Sequence, residues 1–308
     1  MCSLKAFFTV ASALGFLAAA PIRAETEDST LQLPDTLIRL HMEDARFALP
    51  RESFEHWIRR SAHVVSHYYG KFPVAQMYIA LIPVSGKGVK NGKAFAIDDA
   101  TINVRVGTGA DHQDLLDDWI MVHEMIHFAL PRVPRRHHWI EEGLAVYVES
   151  VARSNAGDLA PKFVWAGFLK GMPHGLPANG DSGLDNTPTW GRTYWGGALF
   201  CLLADIEIRK RTDNRKSLRD GLQAIVHQGF SMLDEKPVEE LFAIADAGTG
   251  TAVLTELYEH HRDTAHDVDL DGLWQSLGVQ AAGTAVEFDT SAPLRHISES
   301  ITARDPGF

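Results

Sequence analysis

The chain has 308 residues, of which 45% are hydrophobic and 22% charged, a composition that is typical of a globular protein and excludes a disordered or fibrous one. Its formal net charge of −11 at pH 7 argues against nucleic acid or an anionic lipid surface as a partner. Of its two cysteines, Cys2 lies in a segment that we expect to be removed, so no internal disulfide is predicted for the mature protein.

The first 24 residues have the pattern of a secretory signal peptide. A single lysine, Lys5, precedes an apolar stretch at residues 6–20, and small residues follow. We expect cleavage after Ala24, which removes two basic residues and no acidic ones, so the mature protein is more negative by two charges. A retained membrane anchor is the alternative, but the apolar stretch is short for a span and polar sequence follows at once. The predicted location is therefore periplasmic or secreted, without stable membrane insertion.

Residues 25–115 predict a mixed α/β lobe. Strand-like composition marks TLIRLHM and AQMYIALIPV, and helical spacing of apolar residues marks the segment between them, RESFEHWIRRSAHVVSHYYG. A flexible turn is predicted for GKGVKNGK, and a strand or hairpin that ends at Gly107 is predicted for AFAIDDATINVRVG. We expect this last segment to form the edge of a cleft, where an extended peptide can pair as an additional strand.

Residues 116–280 predict a mainly helical lobe, because apolar residues recur at helical spacing. The helical segments are DLLDDWIMVHEMIHFAL, HHWIEEGLAVYVESVARS, YWGGALFCLLADIEIRKRT, SLRDGLQAIVHQ, PVEELFAIAD and TAVLTELYEHHRD. Asp118 is placed to cap the first of them, and Pro131 is placed to end it. A long loop rich in glycine and proline, residues 171–192, is typical of a segment that walls a binding site. Residues 281–308 predict a C-terminal tail with one strand.

One predicted helix carries polar residues where burial is costly. The segment DDWIMVHEMIHFALP places His123, Glu124 and His127 among apolar side chains, where an uncompensated polar group costs roughly 2–7 kcal/mol. Residues i and i+4 of a helix share one face, so both imidazoles are presented to one point. Imidazole nitrogens are standard zinc ligands, and Glu124 lies close enough to reach a water on the metal. The H-E-x-x-H pattern therefore predicts a zinc site, with hydrogen-bonded core histidines as the alternative.

A catalytic zinc site needs a third protein ligand and an open position. The next predicted helix contains WIEEG, where Glu142 can supply that ligand, although periodicity does not separate it from its neighbour Glu141. His137, His138 and His174 are also near in sequence, but the first two follow the basic loop RVPRR and are expected to face solvent. We expect one zinc ion per chain.

These motifs resemble the gluzincin metallopeptidases. The resemblance rests on HEMIH followed by WIEEGLAVY, and the later segment YWGGALFCLLADIEIRKRTDNRKSLRDGLQAI is similar to the glycyl aminopeptidase family in particular. The aminopeptidase N family is a more distant relative. The similarity covers about residues 93–279, including DLDGLWQSLGV. It implies an α+β fold with a thermolysin-like catalytic unit, in which a mixed α/β N-terminal lobe and a mainly helical C-terminal lobe meet at the zinc.

The resemblance also implies a role for each site residue. His123, His127 and Glu142 would bind zinc, because Glu142 directly precedes the glycine of the W-x-x-E-G pattern. Glu124 would be the general base that takes a proton from the attacking water and passes it to the leaving amine. Tyr194, which opens the Y-x-x-G helix, would donate a hydrogen bond to the oxyanion.

Two features depart from the aminopeptidase N pattern. Fourteen residues separate His127 from Glu142, fewer than in those relatives, so the connection between the ligand helices must be tight. The family's G-x-M-E-N motif, whose glutamate holds the substrate's amino group, corresponds here to GKAFAIDD, with Phe95 near the glutamate position. Asp98 and Asp99 are alternatives, although both are also typical turn residues. The sequence therefore leaves exopeptidase and endopeptidase action open.

The function predicted from these residues is that of an exported, zinc-dependent metallopeptidase with a peptide or protein substrate. Two other functions are compatible with the same pattern. One is a zinc hydrolase that acts on another amide or ester. The other is a non-catalytic peptide-binding protein on a peptidase scaffold, although a purely structural zinc site has no need of Glu124 beside it and is usually closed by a fourth ligand.

Overall fold

A computed structural model describes residues 28–283 and 285–306 of the chain. The predicted signal peptide, residues 1–24, lies outside the described residues. Within the described ranges, no helix is both long enough and apolar enough to cross a membrane.

A five-stranded mixed sheet forms the first part of the structure. Its strands are β1 Ser29–Gln32, β2 Leu37–Met42, β3 Gln76–Val84, β4 Val89–Ala96 and β5 Ala100–Gly107. They are arranged in the order β1-β2-β3-β5-β4, with the three central strands parallel and the two outer strands antiparallel to their neighbours. Alternate residues of the central strands, such as Ile79 and Ile102, are buried in a core that they share with Phe54 of α1, Arg51–Tyr69. The period of two in these strands follows from the alternation of side chains across a sheet.

The edge of the sheet differs from the sequence prediction. Residues 89–93 of the predicted flexible turn GKGVKNGK belong to strand β4, and only the residues before Val89 form the turn. The segment AFAIDDATINVRVG forms a hairpin, as predicted, but its second strand, β5, pairs on both sides and is internal. The edge is therefore β4. Its lysine, asparagine and glycine content lowers its strand propensity and is typical of edge strands, whose outer side is unpaired.

Helices dominate the rest of the described chain. They are α2 His112–Leu116, α3 Ile120–Ile126, α4 His138–Asn155, α5 Pro161–Gly171, α6 Gly197–Arg211, α7 Leu218–His227, α8 Val238–Thr249, α9 Val253–His261, α10 Leu270–Leu277 and α11 Arg295–Ile301. The first predicted helix of this region is split into α2 and α3. Asp118 caps α3 as predicted, because its carboxylate accepts hydrogen bonds of 3.0 Å from the N–H groups of Ile120 and Met121. A single 3-10 turn, His127–Ala129, extends α3 almost to Pro131.

The end of the chain contains more structure than the single strand predicted from the sequence. Strands β6 Val279–Ala282 and β7 Ala285–Phe288 form a hairpin, and α11 follows. The side-chain amide of Asn155, at the end of α4, donates to the carbonyl groups of Ile301 at 3.1 Å and Ala303 at 2.8 Å. These buried hydrogen bonds tie the C-terminal segment to the helix that carries Glu142.

Candidate active site

The residues of the H-E-x-x-H pattern and Glu142 lie together at one point. His123 and His127 are on successive turns at the end of α3, and their ring centroids are 5.0 Å apart. The Nε2 atoms of His123 and His127 lie 3.6 Å and 3.8 Å from the same carboxylate oxygen of Glu142. One ligand atom from each of the three residues falls within 4.8 Å of the others. Two nitrogens and one carboxylate oxygen are a donor set that zinc prefers.

Burial of His127 and the histidine contacts of Glu142 favour the protonation states that metal binding needs. Burial lowers the pKa of His127 to about 4, and the neighbouring charge of His123 acts in the same direction, so the ring is neutral at pH 7. Burial alone would raise the pKa of Glu142, but its contacts with His123 and His127 outweigh that effect and lower it. A neutral imidazole and an ionised carboxylate are the metal-binding forms.

The structure separates Glu142 from its neighbour Glu141. The carboxylate of Glu141 lies 2.8 Å from Nδ1 of His138 and accepts a 3.3 Å hydrogen bond from the N–H group of Val133. It is therefore directed to the loop before α4, while Glu142 is directed to the two histidines. Because consecutive helical residues point about 100° apart, only one of them can reach the histidine pair.

The other histidines occupy different surroundings. His137, which the sequence predicts to face solvent, is fully buried, and its Nδ1 atom lies 3.0 Å from the carboxylate of Asp185. The arginines of the basic loop remain exposed, and Asp185 also accepts hydrogen bonds from Trp139 and Tyr258. His138 is half-exposed and lines the same cavity as the candidate metal ligands, and its Nε2 atom lies 3.4 Å from Oε1 of Glu142, although it is not part of the three-residue cluster. His174 contacts the ring of Trp190 and does not join the cluster.

Glu124 is held beside the metal ligands by the edge strand. One of its carboxylate oxygens accepts a 2.6 Å hydrogen bond from the N–H group of Ala94 on β4. Burial raises the pKa of Glu124, although the nearby His123 and the Ala94 N–H group both act to lower it. The approach depends on Gly92, because a Cβ atom there would lie 2.5 Å from Cγ of Glu124 and 2.8 Å from Cγ2 of Ile120. The sequence analysis placed Gly92 in a flexible turn and at the start of GKAFAIDD, but gave it no role of its own.

Tyr194 faces the same point from another direction. It lies in a π-helical turn, Gly191–Gly196, that continues directly into α6, and such turns are frequent at functional sites. Burial raises the pKa of Tyr194, and the negative charges of Glu142 and Glu124 raise it further. The hydroxyl therefore remains protonated near neutral pH and able to donate a hydrogen bond.

These side chains line a cavity of about 580 Å³. The lining includes the three candidate metal ligands, Glu124 and Tyr194, and one wall is the β4 segment at residues 92–96. Phe95 lines this wall, whereas Asp98 and Asp99 lie beyond the end of β4 in the turn to β5. Part of the long loop at residues 171–192 lines an adjoining cavity of about 520 Å³ through Leu184 and Pro188.

Solved structures share this architecture. A crystal structure of an aminopeptidase N family protein from Idiomarina loihiensis matches with a TM-score of 0.59 and 12% identity, over 82% of this chain and 49% of that one. The chain has the aminopeptidase N fold. A crystal structure of an M1 zinc metallopeptidase variant from Deinococcus radiodurans, bound to a Tyr-Ser-Ala substrate, matches with a TM-score of 0.50 and 14% identity, over 79% of this chain and 53% of that one.

The chain spans about half the length of these two proteins with the aminopeptidase N fold. No protein-family model matches the sequence, and no curated protein matches it. The aminopeptidase N fold agrees with the thermolysin-like α+β unit predicted from the sequence, in which a sheet with an open edge strand meets a helical region at the ligand helices.

Proposed function

We propose that this chain is an exported, zinc-dependent metallopeptidase that hydrolyses peptide bonds with Glu124 as the general base. One observation carries the proposal: the His123–His127–Glu142 cluster lines the same cavity as Glu124 and Tyr194. Export is part of the proposal because of the signal-peptide pattern of residues 1–24.

The cluster fits zinc by its chemistry. His123, His127 and Glu142 would hold the ion with three protein ligands, and the cavity of about 580 Å³ leaves room for water and substrate on the open side. When bound in such a site, zinc lowers the pKa of a water ligand to about 7 and polarises a carbonyl group.

Glu124 is suited to move the proton. Its carboxylate faces the cavity and is fixed by the N–H group of Ala94, so it is oriented before substrate arrives. A carboxylate whose pKa is raised by burial is a better base at neutral pH than an exposed one. Glu124 would take a proton from the attacking water and deliver it to the leaving amine.

Tyr194 is suited to stabilise the charge that develops on the carbonyl oxygen. Its protonated hydroxyl lies on the cavity wall close to Glu142 and Glu124. A positioned donor of this kind acts on the tetrahedral oxyanion more strongly than on the carbonyl group of the substrate.

The free edge of β4 supplies a place for the peptide. The N–H group of Ala94 donates a hydrogen bond to the carboxylate of Glu124 and is therefore directed away from β5. Backbone groups alternate in direction along an antiparallel strand, so those of Gly92 and Ala96 are directed to the same free side. An extended peptide can pair there as an additional strand and carry its scissile bond past the metal ligands.

The test combines metal content with cleavage. We expect about one zinc per mature chain by mass spectrometry, retained in Glu141→Ala and lost in Glu142→Ala. Glu124→Gln should retain zinc and lose peptide cleavage, and full activity in that variant would refute the general-base role. Zinc without cleavage of any peptide in a broad panel would favour another amide or ester as substrate, and capture of peptide without turnover would favour a binding protein.

A further inference from the structure

A second cavity continues from the proposed active site. It has a volume of about 520 Å³ and shares Arg132, His138 and Glu141 with the cavity in front of the metal ligands. The two cavities therefore adjoin at these three side chains.

Positive charge dominates the second cavity. Arg132, Arg135 and Arg136 all line it, and none of the three forms an ion pair with a carboxylate of the described residues. The guanidinium group of Arg136 donates instead to Nε2 of His137 at 2.9 Å, a contact that leaves its charge uncompensated. We name this space the arginine cavity. A local cluster of three arginines without carboxylate partners is unusual in a chain whose net charge is −11.

The acidic groups near the arginine cavity are already engaged. Glu141 lines it, but its carboxylate contacts His138 and the N–H group of Val133. Asp185 directly follows Leu184, which lines the cavity. The carboxylate of Asp185 is hydrogen-bonded to His137, Trp139 and Tyr258 and does not line the cavity itself. Within residues 28–283 and 285–306, neither of these carboxylates is therefore left free for the guanidinium groups.

We propose that the arginine cavity is a subsite for a carboxylate of the substrate, adjacent to the cleaved bond. Guanidinium groups bind carboxylates through paired hydrogen bonds, and all three arginines are exposed to solvent in the cleft, so a ligand can reach each of them. The carboxylate belongs either to an aspartate or glutamate side chain or to the C-terminus of a peptide. This inference rests on the proposed function and names the substrate class that the same site selects.

The experiment measures binding, so that it does not depend on turnover. Fluorescently labelled alanine hexapeptides with one glutamate, or glutamine in its place, are titrated against the mature zinc-loaded protein carrying Glu124→Gln. Each peptide is tested with a free and with an amidated C-terminus, which separates side-chain from terminal carboxylates. We expect at least one anionic peptide to bind about tenfold more tightly than its neutral partner, as for a few partly screened charge pairs.

Substitutions assign that preference to the cavity. The triple change Arg132→Gln, Arg135→Gln and Arg136→Gln should remove the preference, and the corresponding triple lysine variant should retain part of it. Arg215→Gln is the control, because Arg215 is exposed, its side chain donates a hydrogen bond to the carbonyl group of Thr212, and it lines neither cavity. Zinc content verifies that each variant remains folded.

Two results would overturn the inference. One is equal binding of all anionic and neutral partners, and the other is a preference that survives in the triple glutamine variant. Failure of the proposed function has a different signature, because the protein with Glu124 intact would then cleave none of the peptides, whatever their charge. If cleavage occurs, the triple glutamine variant should raise KM for anionic peptides about tenfold, with little change in kcat.

Discussion

Gly143 and Gly197 approach so closely that neither position has room for a side chain. A Cβ atom on Gly197 would lie 2.8 Å from the Cα atom of Gly143, and one on Gly143 would meet the backbone of Gly197. Glu142 directly precedes the first glycine, and Tyr194 lies three residues before the second. The contact between α4 and α6 therefore sets the distance between a metal ligand and the proposed oxyanion donor.

Gly143→Ala should separate these helices. Because the added methyl group meets backbone atoms that cannot rotate away, we expect the free energy of unfolding to fall by about 1–3 kcal/mol. Zinc affinity and activity should fall with it. Urea unfolding and zinc titration measure the two effects.

The matched control is Gly167→Ala. Gly167 lies within α5, and a Cβ atom there would have no neighbour within 4 Å. Alanine is the better helix former by about 1 kcal/mol, so this variant should be as stable as the wild type or more so. Equal stability of Gly143→Ala and the control would contradict the close-packing explanation.

Gly92→Ala should displace Glu124 without removing a metal ligand. The new Cβ atom would lie 2.5 Å from Cγ of Glu124, so the base must move away from its hydrogen bond with Ala94. A misplacement of about 1 Å can reduce the rate about 100-fold, and we expect a fall in kcat of that order with zinc content unchanged.

Gly109→Ala is the control for that variant, since the nearest atom to its Cβ is 3.4 Å away, an ordinary contact. Peptide cleavage and mass spectrometry of the same preparations test both variants. Loss of zinc from Gly92→Ala would show that the glycine supports the metal ligands and not the base.

Tyr194→Phe should reduce kcat about 100- to 1,000-fold, because it removes one donor to the oxyanion. KM and zinc content should change little, since the ring remains and Tyr194 is not a metal ligand in the cluster. Steady-state kinetics with one peptide measures the effects on kcat and KM separately. Tyr78→Phe removes a hydroxyl that contacts Arg39 on the sheet and should leave kcat unaltered. Wild-type kcat in Tyr194→Phe would exclude the proposed role.

His261 should make stability depend on pH. Burial, together with the nearby His260, His266 and Arg192, lowers its pKa to about 4. Because the unfolded chain takes up this proton near pH 6.5 and the folded protein does not, the free energy of unfolding falls as pH decreases from about 6.5 to about 4.

The variant His261→Gln should lack the part of this pH dependence that comes from His261. The slope of its unfolding free energy against pH should be smaller than that of the wild type. The difference between the two slopes should be less than about 1.4 kcal/mol per pH unit, the limit for one proton. Urea unfolding at several pH values, with chelator present for both proteins, measures the difference. His112→Gln, at an exposed position of α2, should leave the slope as in the wild type. Identical slopes for His261→Gln and the wild type would contradict the assignment.

The H-E-x-x-H residues could be located from the sequence because their relation is local. His123 and His127 share one face by helix geometry alone, and Asp118 caps the helix through its own neighbours. The choice of Glu142 over Glu141 depended on family resemblance, since only the packing of α4 against α3 distinguishes adjacent residues.

Features that depend on distant partners were missed or mispredicted. Gly92 gains its importance from contact with Glu124 on another element, and the sequence around it favours a turn. His137 is buried because Asp185, far along the chain, supplies an acceptor. The π-helical turn at Gly191–Gly196 leaves no local pattern that separates it from the start of an α-helix.

The hydrogen bonds from Asn155 to Ile301 and Ala303 span 146 and 148 residues of sequence. Helix α4, which carries Glu142, therefore obtains these partners only after residues 301–303 have been synthesised. Contacts of such long sequence separation form late and slow folding. The C-terminal end of α4 is therefore completed only when residues 301–303 have folded back against it.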